Sequence, residues 1–191
     1  MAAGGGTPAG AAAAAERLVA QGVTGLVSFG LAGGLDPALR PGTVVVPSVV
    51  LAGGVARAVD AGLAERFGGV TGHTMLAGSV VAASAAEKRD LRAATGAHAI
   101  DLESGAVADV AAAHGLTFVV VRAVCDPAER DLPPAALIAL DPAGGIGMWG
   151  VLRSVLAAPW QVPGLLALAR DAGQGRRALV GVVRRFAGGL G

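Results

Sequence analysis

The residue best placed to act as an acid is Asp126, which comes just after a strongly apolar run at residues 117–124. A carboxyl group at the end of a buried strand has a raised pKa, because burial disfavours its charged form. Such a group can hold a proton near neutral pH and pass it to a leaving group as a general acid. The residues alone also allow a plain turn here, since Asp126 precedes Pro127 and Asp-Pro pairs favour turns.

A second candidate site lies at Asp101 and Glu103, where a predicted strand at 97–102 gives way to a predicted helix at 103–114. A carboxylate that faces a cleft at such a strand end can accept hydrogen bonds from two neighbouring hydroxyls of a ribose. Alternatively, Asp101 caps the helix and Glu103 interacts with the helix dipole in the first turn.

The third candidate is the glycine-rich segment SFGLAGGL at residues 28–35, which follows a predicted strand at 24–29. Glycine lets backbone N–H groups approach a ligand closely, and open α/β sheets bind ligands at the carboxyl ends of their strands. The segment is not G-x-G-x-x-G and no P-loop lysine follows it. A tight turn that packs a helix on a strand is therefore the alternative.

These segments alternate with helical ones along the chain. Helices are predicted at 8–21, 85–95 and 103–114, and strands at 24–29, 43–47, 73–83, 97–102 and 117–124. This alternation, with nearly continuous apolar strands, predicts an α/β fold with a mostly covered sheet. The helix at 85–95 contains five charged residues, Lys88 among them, and is therefore expected at the surface.

The chain has 191 residues, which suffice for one domain and are too few for two ordinary ones. We divide it into an α/β core at 1–132 and a helical C-terminal extension at 133–191. In the extension, leucine and alanine recur at helical spacing, and several prolines predict a division into three or four short helices packed on the sheet.

Composition excludes several classes of function. A net charge of +1 and only 3% aromatic residues argue against a nucleic-acid partner, and 53% hydrophobic residues argue against disorder. The single cysteine, Cys125, excludes an internal disulfide, and the three histidines lack metal-ligand spacing, so no metal is expected. The N-terminus lacks the features of a signal peptide and no segment is apolar enough to span a membrane, so a cytoplasmic location is expected.

Taken together, the motifs resemble the nucleoside phosphorylase and nucleosidase superfamily, which includes purine and uridine phosphorylases and methylthioadenosine/S-adenosylhomocysteine nucleosidases. The resemblance runs from about residue 22 to 132, and its anchors are SFGLAGGLDPALRPGTVVVP, AIDLESGAVADVAAAHG and VVVRAVCDPAERDLPP. It implies a single domain, residues 1–191, with a mixed central β-sheet flanked by helices. It also implies a purine nucleoside as substrate, no cofactor and a homo-oligomeric assembly.

The resemblance assigns roles to individual residues. Asp126 matches the acid that protonates purine N7, and Glu103 matches the carboxylate that holds the ribose 2′- and 3′-hydroxyls. Leu102 occupies a position beneath the sugar where nucleosidases usually have Met. A loop that lines the base and the nucleophile corresponds here to Gly30, Ala32 and Gly33.

Cys-Asp-Pro at 125–127, the Leu-Pro-Pro that follows it and the tail VLRSVLAAPWQVPGLLALARDAGQGRRAL resemble the hopanoid-associated branch of this superfamily. Release of adenine from adenosylhopane, with formation of a phosphoribosyl lipid, is ascribed to that branch. The resemblance therefore implies phosphorolysis of a lipid-linked nucleoside, with inorganic phosphate as co-substrate.

Four departures from the family keep alternatives open. Position 31 is Leu where a Ser usually contacts phosphate or water, and position 28 is Ser where hexameric phosphorylases have a phosphate-binding Arg. Residues 78–88 lack the aromatic that commonly stacks on the purine, and nothing before Gly22 resembles the family's first strand and the loop after it. The alternatives are a methylthioadenosine/S-adenosylhomocysteine-type hydrolase and a catalytically impaired nucleoside-binding protein that lacks this first strand.

The tail is basic: residues 150–191 carry a net charge of +5, against −4 for residues 1–149. At 174–191, arginines and apolar residues fall on different sides of a predicted helix, a pattern typical of helices that lie on a membrane surface. Such a helix would bring the enzyme to the inner face of a membrane that holds its lipid-linked substrate. The alternative is a structural helix that packs its apolar face on the sheet.

Overall fold

The computed structural model describes residues 1–140 and 154–188. Within them, seven strands form one sheet in the order β2-β7-β1-β6-β5-β3-β4. The strands are β1 (Gly25–Gly34), β2 (Val44–Val45), β3 (Val49–Ala52), β4 (Val55–Ala58), β5 (Thr74–Ala77), β6 (Ala99–Asp101) and β7 (Thr117–Asp126). The helices are α1 (Pro8–Val19), α2 (Ala61–Glu65), α3 (Ala85–Thr95), α4 (Ser104–Ala113), α5 (Pro134–Leu140) and α6 (Val162–Gly188), and a 3₁₀ turn (Pro159–Gln161) precedes α6.

The sheet is mixed, which confirms the predicted α/β class. The two long central strands, β1 and β7, run parallel, as do β3 with β5 and β5 with β6. The pair β1–β6 and the outer strands β2 and β4 are antiparallel to their neighbours. This topology brings the carboxyl ends of β1 and β7 close to the junction between β6 and α4.

The core lies on both faces of β7, because successive side chains of a strand point to opposite faces. One set packs against Leu179 and Val182 of α6, and it comprises Val119, Val121 and Ala123. The other set packs with β1 and the small residues of α1 and α4, and it comprises Phe118, Val120 and Val124. Alanine on both helices allows them to approach each other and the sheet closely.

Local signals define α3. The Ser84 side chain accepts a hydrogen bond from the Glu87 backbone N–H, and the Glu87 carboxylate accepts one from the Ser84 N–H, which completes a capping box. The helix ends at Gly96, whose φ of 68° is left-handed and favours glycine. The predicted bounds of this helix, 85–95, are those observed.

The glycine-rich segment differs from the prediction. Residues 30–34 belong to β1 and do not form a loop, because β7 extends to Asp126 and pairs with β1 throughout. The register shifts between Ala32 and Gly33, so that Gly33 lies opposite Asp126. Gly30, Ala32 and Gly33 are therefore strand residues.

The C-terminal extension contains several helical segments, as predicted, but the last of them is not short. Residues 162–188 form one helix of 27 residues, because Pro163 lies in its first turn, where a missing N–H breaks no helical hydrogen bond. Pro134 begins α5 and Pro159 begins the 3₁₀ turn. The break predicted at Pro142 lies outside the described residues.

Candidate active site

A cavity of about 630 Å³ opens at the carboxyl ends of the central strands. It is lined by the ends of β1 and β7, the β6–α4 junction, α3, α5 and α6. All six residues that the family resemblance singles out line it, namely Gly30, Ala32, Gly33, Leu102, Glu103 and Asp126. The structure thus brings the three sequence motifs together in one place.

Asp126 sits at the end of β7 in contact with a buried cation. Its Oδ2 lies 2.6 Å from Nζ of Lys88, whose side chain is fully buried. Its Oδ1 is buried and has no hydrogen-bond partner among the described residues. Lys88 therefore holds this carboxyl group through one of its two oxygens.

The pKa of Asp126 is raised above its ordinary value of 3.8. Burial is the main cause, and the hydrogen bond and positive charge of Lys88 offset part of it. A buried carboxyl of this kind keeps a proton to higher pH than an exposed one, which is the condition for a general acid.

A buried arginine, Arg122, also lines the cavity and pairs with two carboxylates. Arg122 points from β7 toward the start of α4, where its Nη2 lies 2.7 Å from Asp101 Oδ2 and 2.8 Å from Ser28 Oγ. Its Nη1 and Nη2 both lie 3.3 Å from Glu103 Oε2. Since Arg122 and Asp101 are both 3% exposed, this ion pair is part of the core.

Asp101 and Glu103 differ in their contacts. Asp101 accepts hydrogen bonds from the backbone N–H and hydroxyl of Ser104, so it serves the start of α4. Glu103 makes no side-chain capping bond and stays 22% exposed toward the cavity. Its Oε1 accepts a bond from the Gly6 N–H. Glu103 is thus the more accessible of the two carboxylates in the cavity.

Gly30 makes room for the arginine. A Cβ at this position would overlap Nη1 of Arg122, which cannot move away easily because Asp101, Glu103 and Ser28 hold it. The absence of a side chain at residue 30 is therefore a condition for the buried ion pairs.

Two residues of this site, Lys88 and Arg122, were not predicted from sequence. Lys88 was expected on a charged surface helix, but its side chain is fully buried between α3 and the turn after β7. Arg122 is the one charged residue inside the apolar run 117–124, and that isolation was the signal that it pairs with buried carboxylates.

Cys125 lines the same cavity and is half-buried. Burial, with the nearby Asp126 charge, raises its pKa to about 11, so the thiol stays protonated and is a poor nucleophile. In the part of the chain that the structure describes, no group of three or more His, Cys, Asp or Glu side chains is placed to hold a metal ion.

Comparison with known proteins agrees with this architecture. A family model described as the phosphorylase superfamily matches residues 2–68 and 69–141. Comparison with curated protein sequences found no match.

Several solved structures share the fold. The S-adenosylhomocysteine nucleosidase of Streptococcus pyogenes, in complex with 5-methylthiotubericidin, superposes with a TM-score of 0.71 at 16% identity, covering 98% of this chain and 78% of that one. Futalosine hydrolase of Helicobacter pylori gives a TM-score of 0.62 at 16% identity, over 93% and 76%. The methylthioadenosine/S-adenosylhomocysteine nucleosidase of Colwellia psychrerythraea, in complex with adenine, gives 0.62 at 20% identity, over 81% and 75%.

Proposed function

Because the chain belongs to the phosphorylase superfamily, we propose that it cleaves the N-glycosidic bond of a purine nucleoside and releases the base. The expectation of a nucleoside phosphorylase or nucleosidase is confirmed at the level of this superfamily. One observation carries the proposal: a single cavity holds a partly exposed carboxylate, Glu103, and a buried carboxyl, Asp126, that has an unpartnered oxygen.

In the proposed reaction, Glu103 accepts hydrogen bonds from the ribose 2′- and 3′-hydroxyls. A carboxylate has about four acceptor sites, and two bonds from Arg122 and one from Gly6 leave one site for the first hydroxyl. The second hydroxyl replaces one of these three bonds. Asp126 gives its proton to N7 of the purine as the bond between C1′ and N9 breaks. The base leaves neutral, and the positive charge that develops on the ribosyl group is stabilised by the carboxylates around it.

The remaining predicted residues complete the binding surface. Leu102 provides an apolar contact for the sugar. Gly30, Ala32 and Gly33 of β1 line the cavity, and in this proposal the base lies against this strand.

We further propose that the substrate is adenosylhopane. The resemblance of the Cys-Asp-Pro segment and the tail to the hopanoid-associated branch suggests this substrate, and the walls of the cavity support it. Away from the carboxylates, the cavity is lined by apolar residues, and Leu165 and Leu168 of α6 are only partly buried there. An apolar substituent at the ribose 5′ position would remove this surface from water.

The nucleophile that captures the ribosyl group is inorganic phosphate in this proposal, as in the hopanoid-associated branch. One observation favours water instead, and hence a nucleoside hydrolase. Among the described residues that line the cavity, the two cations, Lys88 and Arg122, are each paired with carboxylates. With Asp126 protonated, the described charges that line the cavity sum to zero, so a phosphate anion would find no surplus of positive charge among them.

The test is to incubate the protein with adenosylhopane, adenosine or methylthioadenosine, with and without phosphate, and to measure free adenine. Phosphorolysis requires phosphate and yields a ribose 1-phosphate product, whereas hydrolysis proceeds without phosphate and yields the free sugar. Binding of these nucleosides without any release of adenine would contradict the proposal and identify a nucleoside-binding protein.

Replacement of Glu103 by Gln is expected to weaken catalysis most on substrates with a complete ribose. Charged hydrogen bonds of this kind contribute about 1.5–3 kcal/mol, so kcat/KM for a ribonucleoside should fall roughly 10- to 100-fold. The 2′-deoxynucleoside lacks one of the two hydroxyls and should lose less. Steady-state kinetics on both substrates measure the difference, with the exposed Glu16→Gln as control; equal losses on both would mean that Glu103 does not bind the sugar.

We also propose that α6 touches the membrane that contains the substrate. None of the described helices is long and apolar enough to cross a membrane. The inner face of α6 packs Leu179 and Val182 on the sheet, as a structural helix would. Its outer face, however, exposes Leu166, Val180 and Val183 among arginines, a mixture suited to an anionic lipid surface.

Binding to anionic liposomes is expected to depend on salt and on the arginines of α6. Deletion of residues 174–191 would open the core at Leu179, so the sharper variant replaces the exposed arginines 176, 177, 184 and 185 by Gln. Each arginine near the surface contributes about 1 kcal/mol, and sedimentation with the liposomes should therefore largely disappear. Replacement of Arg17 and Arg89 by Gln is the control; no sedimentation of the unmodified protein at low salt would refute the contact.

A further inference from the structure

Lys88 is the most completely satisfied buried charge in the described part of the chain. Its Nζ lies 2.6 Å from Asp126 Oδ2, 3.0 Å from the Pro127 carbonyl oxygen and 2.8 Å from the Arg130 carbonyl oxygen. An ammonium group has three N–H donors, so each donor has one acceptor. All three acceptors belong to residues 126–130, which means that α3 holds the whole turn that follows β7.

We propose that Lys88 is a positioning residue for the general acid Asp126, an inference that rests on the proposed function. Its ammonium group fixes Oδ2 and thereby the orientation of the whole carboxyl group at the wall of the cavity. The same charge then stabilises the carboxylate that Asp126 becomes after delivery.

The need for this charge follows from the chemistry of the step. The proton moves from the Asp126 carboxyl group to purine N7 while the electron pair of the C1′–N9 bond passes to the base. A buried carboxylate remains, and without a partner it would be costly to form, which would make Asp126 a weaker acid. With Lys88 at 2.6 Å, the charge develops next to a fixed opposite charge.

The other charges around Asp126 do not replace Lys88. Arg130 of the turn and Asp171 of α6 also act on Asp126, but they form an ion pair with each other, so their effects largely offset. Lys88 therefore supplies the unopposed positive charge at this carboxyl.

The test compares two substrates that differ in their need for a proton. An ordinary purine nucleoside must be protonated at N7 before the base leaves, whereas an N7-methylated purine nucleoside already carries the positive charge. Lys88→Met keeps the length of the side chain and removes the charge. We expect its kcat on the ordinary nucleoside to fall about 10²-fold, within the range for loss of general acid catalysis, and to fall much less on the methylated one.

Controls separate this role from a structural one. Arg89→Met removes a charge from the exposed side of the same helix and should leave kcat unchanged on both substrates. Lys88→Arg keeps the charge and should recover part of the loss. In an Asp126→Asn background, Lys88→Met should cause no further loss. If Lys88→Met does not fold, Lys88→Gln, which keeps two N–H donors for the carbonyls, gives the same comparison.

Equal losses of Lys88→Met on the two substrates would overturn the inference, because a residue that only holds the fold affects both alike. That result differs from failure of the proposed function, in which the unmodified protein would release base from neither substrate.

Discussion

Asp126→Asn is expected to abolish release of the base while the protein stays folded. Asn has nearly the same volume, and its oxygen can still accept the hydrogen bond from Lys88, but it has no acidic proton for the purine. Loss of a general acid lowers the rate by about 10²–10⁴-fold. Adenine release under saturating substrate measures the effect, and circular dichroism checks the fold. Turnover close to that of the unmodified protein would show that Asp126 is not the acid.

The same substitution should change the pH dependence. Only the protonated carboxyl of Asp126 can donate, so kcat of the unmodified enzyme should fall as pH rises through its pKa. Burial raises that pKa above 3.8, and the activity therefore extends to higher pH than an exposed Asp would allow. In Asp126→Asn, the residual activity should lose this descending limb. An N7-methylated nucleoside does not need a proton from Asp126. With this substrate, the fall of kcat at high pH should be weak even in the unmodified enzyme.

Arg122→Met is expected to cause a large loss of stability. It leaves Asp101 buried without its cation and removes the partner of Glu103 and Ser28. Breaking a buried ion pair on one side costs about 3–5 kcal/mol, because the remaining charge is uncompensated. Urea unfolding near neutral pH measures this loss. Arg57→Met, which breaks the exposed pair with Asp109, is the control and should cost less than about 1 kcal/mol.

The loss in Arg122→Met should depend on pH with a defined sign. Burial raises the pKa of Asp101 in the folded protein, and Arg122 counteracts that rise. Without Arg122, the folded state holds a proton on Asp101 to higher pH than the unfolded chain does. Between the pKa of Asp101 in the unfolded chain and its pKa in the folded variant, the free energy of unfolding of the variant therefore falls by roughly 1.4 kcal/mol for each unit of increasing pH. The variant is destabilised less near pH 5 than near neutral pH. A loss that does not change with pH, or that the second substitution Asp101→Asn fails to reduce, would contradict this account.

Much of the fold follows from the sequence because its strands are nearly continuous apolar runs bounded by glycine and proline. The helix at 85–95 was predicted with its observed bounds, since Ser84, Glu87 and Gly96 are standard capping residues. The strand that ends in Asp126 was also predicted, although it extends two residues further than expected. Its extension depends on pairing with the glycine segment of β1, a contact between residues that are distant in the chain and that no local pattern reveals.

Residues of the site that lie in a sequence motif were predictable, whereas residues that reach the site only through tertiary packing were not. Asp126 and Glu103 stand at strand ends and match the family motifs, and both line the cavity; their roles in binding and catalysis stay predictions. Lys88 was missed because a helix with five charged residues looks exposed on every side, and only the tertiary fold decides which charge turns inward. The length of α6 was underestimated for a related reason: a proline breaks a helix interior but is tolerated in the first turn, and the position of that turn depends on where the helix begins.

The close approach of Arg122 to Gly30 also has a consequence for the descent of this chain. A side chain at position 30 would displace the guanidinium of Arg122. The carboxylates of Asp101 and Glu103 would then lose the cation that pairs with them. A mutation of Gly30 is therefore harmful while Arg122 is present, and a mutation of Arg122 is harmful while its buried carboxylates are present. The two codons form a coupled pair: a lineage can acquire a larger residue at position 30 only after the arginine and its buried acid have changed.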